Sequence, residues 1–410
     1  MSPDALHESR VPSDAPLTLP SHADVSGPLL LTLGLLAAFA PFAMDMYLPA
    51  FPGMTADLGT SAVGVQLSLT AFLAGAGAGQ LVFGPLSDRY GRRTPLLVGA
   101  ALCVVASLAA ALAPSIAVLV AARVAQGLSG AAGMVIGRAV ISDLARGRAA
   151  ARAFSLLMLV GSVAPVVAPL AGSVLVEHVG WRGVLMVVTG IAVVMLVSAA
   201  RVVPESHPPA ARVRPPRAAQ AGRTPLLSVP FLAWTLALCL SFSAMMAYIA
   251  ASPFLFQVTL GLSAVGYALM FGGTALLLVL SGAVASRLAV RTAPVSTITA
   301  GIGAMLAGSV AFAMLVAADT PPLWFAVPLL VVVPSLGLVM GNGTALALGS
   351  LPRAAGTGSA VIGAVQFGLA ALTAPLVGLG GDDTAGPLAA VLVVTTALAL
   401  GACLIGRRRG

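Results

Sequence analysis

The chain has 410 residues, 59% of them hydrophobic and only 8% charged. That composition excludes two or three soluble domains and points to a membrane protein. The formal charge of +8 comes from 21 arginines, with no lysine, against 13 acids. Where those arginines lie accounts for the basic balance without a nucleic-acid partner.

Residues 1–27, "MSPDALHESRVPSDAPLTLPSHADVSG", are polar, rich in proline and without a basic n-region. They read as a disordered cytoplasmic tail and not as a cleaved leader, although Ala38-Phe39-Ala40 imitates a cleavage site. From residue 28 onward, apolar stretches of about twenty residues recur, long enough to cross a hydrocarbon core of about 30 Å as helices. They predict twelve spans, at 28–50, 64–86, 95–113, 115–139, 153–176, 182–203, 227–250, 264–286, 293–317, 322–348, 355–380 and 385–406. With the N-terminus inside, every arginine except Arg182 (outside) and Arg123 (within a span) falls in a tail or on the inner side. This is the positive-inside asymmetry. It predicts a multi-pass membrane protein with both termini cytoplasmic and an even number of spans.

The stretch "RVVPESHPPAARVRPPRAAQAGRTP" at 201–225 reads as a flexible cytoplasmic linker. It divides the chain into a six-helix bundle at 28–203, a linker at 204–226, a second six-helix bundle at 227–406 and a basic tail at 407–410. A short internal repeat agrees: "GPLSDRYGRR" between spans two and three aligns with "GAVASRLAVR" between spans eight and nine. Gly84 then falls on Gly282 and Arg89 on Arg287, while Asp88 meets Ser286. Such a match at equivalent loops is what a parallel repeat about the membrane normal requires.

Cys103, Cys239 and Cys403 lie singly in apolar spans, so neither a disulfide framework nor a metal site is expected. The four histidines lie in tails or loops, which argues against a histidine proton relay within the membrane. No paired carboxylates or Cys/His cluster suggest an enzyme.

In "GPLSDRYGRR", Gly84 and Pro85 allow a tight exit from span two, Gly91 permits a turn, and Asp88 stands among Arg89, Arg92 and Arg93. A carboxylate here could latch to a cation or a helix N-terminus on the neighbouring bundle and close the inner face in one state. The loop matches the G-x-x-x-D-R-x-G-R-R signature, and the chain resembles the major facilitator superfamily. "MDMYLPAFP" ending span one, "RVAQGLSGA" in span four and "GSVAPVVAPLAG" in span five are similar to the twelve-span drug:proton antiporters of the bicyclomycin and chloramphenicol resistance (Bcr/CflA) subgroup. The resemblance implies an all-α membrane protein of two six-helix bundles around a central cavity, exporting a substrate against inward proton flow. It associates Gly161, Pro165, Pro169 and Gly172 in span five with the interface between the halves. The span-five stretch departs from the broader antiporter pattern, since Ala164 precedes Pro165. Gly75 and Gly79 read as a helix-packing pair.

Of the 13 acids, Asp45 alone falls within a span. A carboxylate facing lipid is costly, so Asp45 should face a cavity or a partner. Helical rise puts Asp45 about 7 Å and Arg123 about 12 Å from the outer ends of their spans, which leaves a structural ion pair between them as an open alternative. Burial favours a neutral carboxyl group and a nearby cation favours a charged one. Asp45 and Arg123 are thus the expected proton-coupling pair, with no cofactor beyond the proton gradient. Tyr47, Gln126, Tyr248, Asn342 and Gln366 are the polar candidates for the cavity wall, and Met44, Met46, Met245 and Met246 suit a pliable pocket. The expected partners are a lipophilic small molecule, protons and the bilayer, with a monomeric chain. A proton-coupled importer on the same fold and a membrane sensor remain as alternatives.

Overall fold

The computed structural model describes residues 26–145, 147–207, 225–289, 291–351, 355–381 and 384–409. The N-terminal tail and most of the linker lie outside the described residues. What is described is helical throughout: α1 Gly27–Asp45, α2 Phe51–Asp57, α3 Ala62–Tyr90, α4 Arg93–Ala111, α5 Ile116–Leu144, α6 Gly147–Val202, α7 Val229–Pro253, α8 Ala264–Leu288, α9 Pro294–Ala317, α10 Ala326–Gly349, α11 Ala355–Thr373 and α12 Ala385–Arg409. Helices satisfy their own backbone groups, which is what an apolar surround demands. Their starts are written locally. Ser61, Ser115 and Ser263 accept from the N–H three residues on, capping α3, α5 and α8. Proline opens α1, α7 and α9, where its missing N–H costs nothing.

Among the described residues, eleven stretches are long and apolar enough to cross a membrane. Ten correspond to single expected spans. The eleventh, Arg152–Val202, has 51 residues, about 76 Å of helix against a hydrocarbon core of about 30 Å. It covers the expected spans at 153–176 and 182–203, and its backbone leaves helical geometry at Gly180, with φ 64° and ψ −178°. Expected spans also end differently. The first helix stops at Asp45 and gives way to a 3-10 turn, Leu48–Ala50, and α2. Beyond α7, Phe254–Thr259 forms a π-helical turn, and α11 ends in a 3-10 stretch, Ala374–Gly380. Pro49, Pro253 and Pro375 sit at these three breaks, where proline disfavours a continuing helix.

Within the first half, α3 packs on α5, α1 on α6, and α4 on both α5 and α6; within the second, α9 packs on α10, α7 on α12, and α8 on α10. The halves meet through α6 on α8 and through α3 on α11 and the 374–380 turn. Small residues set the closest crossing. A Cβ at Gly75 or Gly79 would fall 2.2 Å from the Val124 or Leu128 carbonyl of α5, and one at Gly127 would fall 2.1 Å from the Phe72 carbonyl of α3.

Candidate functional site

Three helical stripes enclose a cavity lined from both halves. α1 contributes Ala37, Pro41, Met44 and Asp45; α7 contributes Phe242, Met245, Met246 and Ile249; α8 contributes Phe271, Thr274, Ala275 and Leu278. Residues three or four apart share one helix face, so each stripe is a single face turned inward. Met134, Pro165, Tyr248, Val333 and Phe367 complete the wall. The volume is about 270 Å³, at the small end for small-molecule sites. Tyr248 stacks on Phe271 at 6.0 Å and 11° between planes. Its hydroxyl donates to Thr274 Oγ1 at 3.4 Å. Phe242 meets Phe367 edge to face at 5.8 Å.

Asp45 is the one charged side chain among the described lining residues. It is only 4% exposed, and its Oδ1 is buried with no hydrogen-bond partner among the described residues.

Arg123 lies elsewhere, wholly buried and without an ion pair to Asp45 among the described residues. Its guanidinium sits 4.6 Å from the ring centres of both Tyr47 and Phe72. Nη1 donates to Gln126 Oε1 at 2.5 Å, and Gln126 Nε2 donates to Ser107 Oγ at 2.7 Å. Nε reaches the Ser68 carbonyl at 3.4 Å, while the Tyr47 hydroxyl and Ser68 Oγ share a hydrogen bond of 3.0 Å. Nη2 has no hydrogen-bond partner among the described residues. Two rings and an amide therefore hold this cation where a carboxylate was an open alternative.

Tyr47 and Gln126 belong to that cluster and not to the cavity wall, a correction to their expected place. Both are drawn off by the buried guanidinium, which needs their ring and amide oxygen. Asn342 is also off the wall, donating to Leu338 of its own helix at 2.9 Å. Gln366 is half-buried and does not line the cavity; its neighbour Phe367 does. Of the five polar candidates only Tyr248 lines it. Met46 is off the wall as well, whereas Met44, Met245 and Met246 line it.

At the 84–93 loop the centre is Arg92. Its Nη1 pairs with Asp88 Oδ1 at 2.5 Å and donates to Ser87 Oγ at 2.9 Å, and its Nε pairs with Asp143 Oδ2 at 2.9 Å. Burial works against the guanidinium's charge, but the hydrogen bonds and charges of Asp143 and Asp88 outweigh it and raise its pKa. Ser206 Oγ also donates to Asp143. Glu205 accepts from the backbone N–H groups of Arg92 (2.8 Å) and Arg93 (3.3 Å), capping α4 with a carboxylate. Gly91 takes φ 91°, open to glycine and strained for other residues. Ser87 Oγ bonds the Gly84 carbonyl, Arg93 Nη2 reaches the Ala200 carbonyl, and Arg89 lies over the Tyr90 ring at 5.4 Å. In this conformation Asp88 makes no ion pair with the neighbouring bundle among the described residues. Asp88 turns to Arg92 four residues on, just past the end of α3, and the described ties of this loop stay within the first half and the start of the linker. Asp143 and Glu205 are its partners, and nothing in their spacing from Arg92 announced it.

In α6, a Cβ at Gly172 would lie 1.8 Å from the Met46 carbonyl, so this glycine admits the turn that follows Asp45. Pro165 lines the cavity and Pro169 is buried. Among the described residues, no atom lies within 4 Å of the Cβ position at Gly161. Arg182, the outside exception, is pinned: it pairs with Asp57 at 3.5 Å and covers the Trp181 ring at 4.1 Å, while Trp181 Nε1 donates to Asp57.

Comparison with known proteins agrees with this architecture. The family model described as Major Facilitator Superfamily matches residues 33–375. An MFS-type transporter of Bacillus subtilis, YdgK, is 34% identical over 376 residues, covering 90% of this chain and 93% of its own. A chloramphenicol resistance protein of Pseudomonas aeruginosa is 30% identical over 393 residues, covering 93% and 92%. Among solved structures, a D-xylose-proton symporter superposes with a TM-score of 0.74 over 91% of this chain and 96% of that one, at 15% identity. The chain is accordingly a transporter, and it belongs to the Major Facilitator Superfamily.

Proposed function

We propose that this transporter exports small lipophilic compounds in exchange for protons. In this reading the chain makes twelve spans, α6 crossing twice about Gly180, arranged as two six-helix bundles with both termini cytoplasmic in a bacterial-type plasma membrane. It works as a monomer by alternating access. The observation that carries the proposal is Asp45, a buried carboxyl group with an unpartnered oxygen on the wall of an otherwise uncharged, aromatic and methionine-rich cavity.

An uncompensated charge in apolar surroundings costs several kcal/mol, and a proton removes it. Asp45 takes a proton from outside as substrate leaves and gives it to the cytoplasm as substrate binds. The membrane potential contributes about 2.3 kcal/mol per charge for each 100 mV crossed, enough to bias the cycle. Arg123, held by Tyr47 and Gln126 in this conformation, is the cation whose distance from Asp45 changes between states. Tyr47 directly follows the helix carrying Asp45 and bears on Arg123, so movement of that turn reaches both. The relative named for chloramphenicol resistance supports an antibiotic-like substrate, and the apolar wall suits a neutral or singly cationic lipophile.

The test is expression in a pump-deficient bacterium and susceptibility across an antibiotic panel, with and without an uncoupler. The reading expects resistance to at least one lipophilic compound, lost with the uncoupler and lost in Asp45→Asn at equal membrane content. Full resistance in that variant would remove Asp45 from the mechanism, and accumulation in place of expulsion would make the protein an importer.

A further inference from the structure

At the end of the molecule away from the 84–93 loop, each half breaks its first helix. α1 gives way to the 3-10 turn Leu48–Ala50, and α7 to the π-turn Phe254–Thr259. Breaks free main-chain carbonyls, and in apolar surroundings each needs a partner. Pro253 has no N–H for the Ile249 carbonyl, which accepts Ser252 Oγ at 2.9 Å instead. The Phe254 N–H turns to Ala251, releasing the Ala250 carbonyl. Gln66 Nε2, from α3 in the other half, donates to that carbonyl at 3.0 Å. The exchange is mutual: Gln257 Nε2, from the second half, donates to the Pro49 carbonyl of the first at 3.1 Å.

One glutamine from each half thus donates to a carbonyl at the other half's break. Phe51 and Phe254 meet across the same junction at 6.3 Å, both almost wholly buried. Gly378 makes the seat for Gln66, since a Cβ there would lie 2.2 Å from Gln66 Oε1. That Oε1 is buried with no partner among the described residues, so separation of the halves lets water satisfy it.

We propose that Gln66 and Gln257 form a reciprocal clasp holding this end of the transport pathway shut, and that its release opens the pathway there. The proposal rests on the alternating-access part of the proposed function and not on what Asp45 carries. The bonds exist only while the halves touch at this end, so they weigh on the equilibrium between states. Being neutral, they are weak enough to break in every turnover and are not screened by salt. The Pro49 carbonyl lies one turn beyond Asp45, so the clasped turn and the cavity carboxylate move together.

The test is a distance measurement by pulsed electron resonance in nanodiscs, with spin labels at Ala56→Cys and Val265→Cys. Both sites are exposed at this end, one in each half, and the three native cysteines are buried. Q66M/Q257M keeps side-chain volume and removes both donors. At about fivefold per neutral hydrogen bond, the open-to-closed ratio should rise roughly twenty-five-fold, seen as growth of the longer distance. An unchanged distance distribution overturns the clasp. G378A leaves both glutamines in place but displaces Gln66 from its seat; should the double variant fail to insert, G378A must shift the distribution the same way, and no shift overturns the proposal. A shift in a protein that exports nothing would keep the clasp and remove the export reading.

Discussion

Where α3 turns into α4, Arg92 gathers Asp88, Asp143 and Ser87, and Glu205 caps the helix that follows. The equivalent turn between α8 and α9 has Ser286 in place of Asp88, and Arg287 and Arg291 stand exposed. The same asymmetry runs through the interior. The first half holds Asp45 and the Arg123 cluster, whereas the second supplies Tyr248, Phe242, Phe271 and Phe367 to the cavity. The described charged groups of the interior thus lie in the first half, while both halves supply apolar wall and the second supplies its aromatic rings.

Substitutions can break that division or sharpen it. The largest stability loss is expected at Gly172, where a Cβ meets the Met46 carbonyl: G172A should cost about 3 kcal/mol, the upper range for overpacking. Gly272, facing α6 from the second half with its nearest atom 3.6 Å from a Cβ, should accept alanine at under about 1 kcal/mol. Heating in detergent with a thiol dye that reports release of Cys103, Cys239 and Cys403 distinguishes the two. Next comes R92A, which strands a half-screened Asp143 and should lose about 2 kcal/mol. R287A in the counterpart loop should stay within about 0.5 kcal/mol. Equal losses would erase the contrast. E205Q should cost about 1 kcal/mol through the weakened cap on α4, read by the same melts. D88N is smallest, about 0.5 kcal/mol and reduced further by salt, because the Asp88 side chain is 69% exposed.

Much of this fold was legible because lipid demands long apolar helices. Helix ends were less so. Pro49 and Pro253 mark the breaks after α1 and α7, but the partners that accommodate them, Gly172 and Gln257 at the first and Gln66 at the second, come from distant elements that no local pattern reveals. Asp45 stood out because a lone carboxylate in an apolar span needs a reason. The rest of the wall did not, since a cavity-facing stripe such as Phe242, Met245, Met246 and Ile249 has the same apolar character as a lipid-facing one. Selecting polar residues for the cavity therefore misled: Tyr47 and Gln126 serve Arg123, and Asn342 serves its own helix.

The most direct measurement is proton release from the purified transporter in weakly buffered detergent when an exported compound is added. The account predicts release by the wild type and binding without release by D45N. Undiminished release from D45N would contradict it.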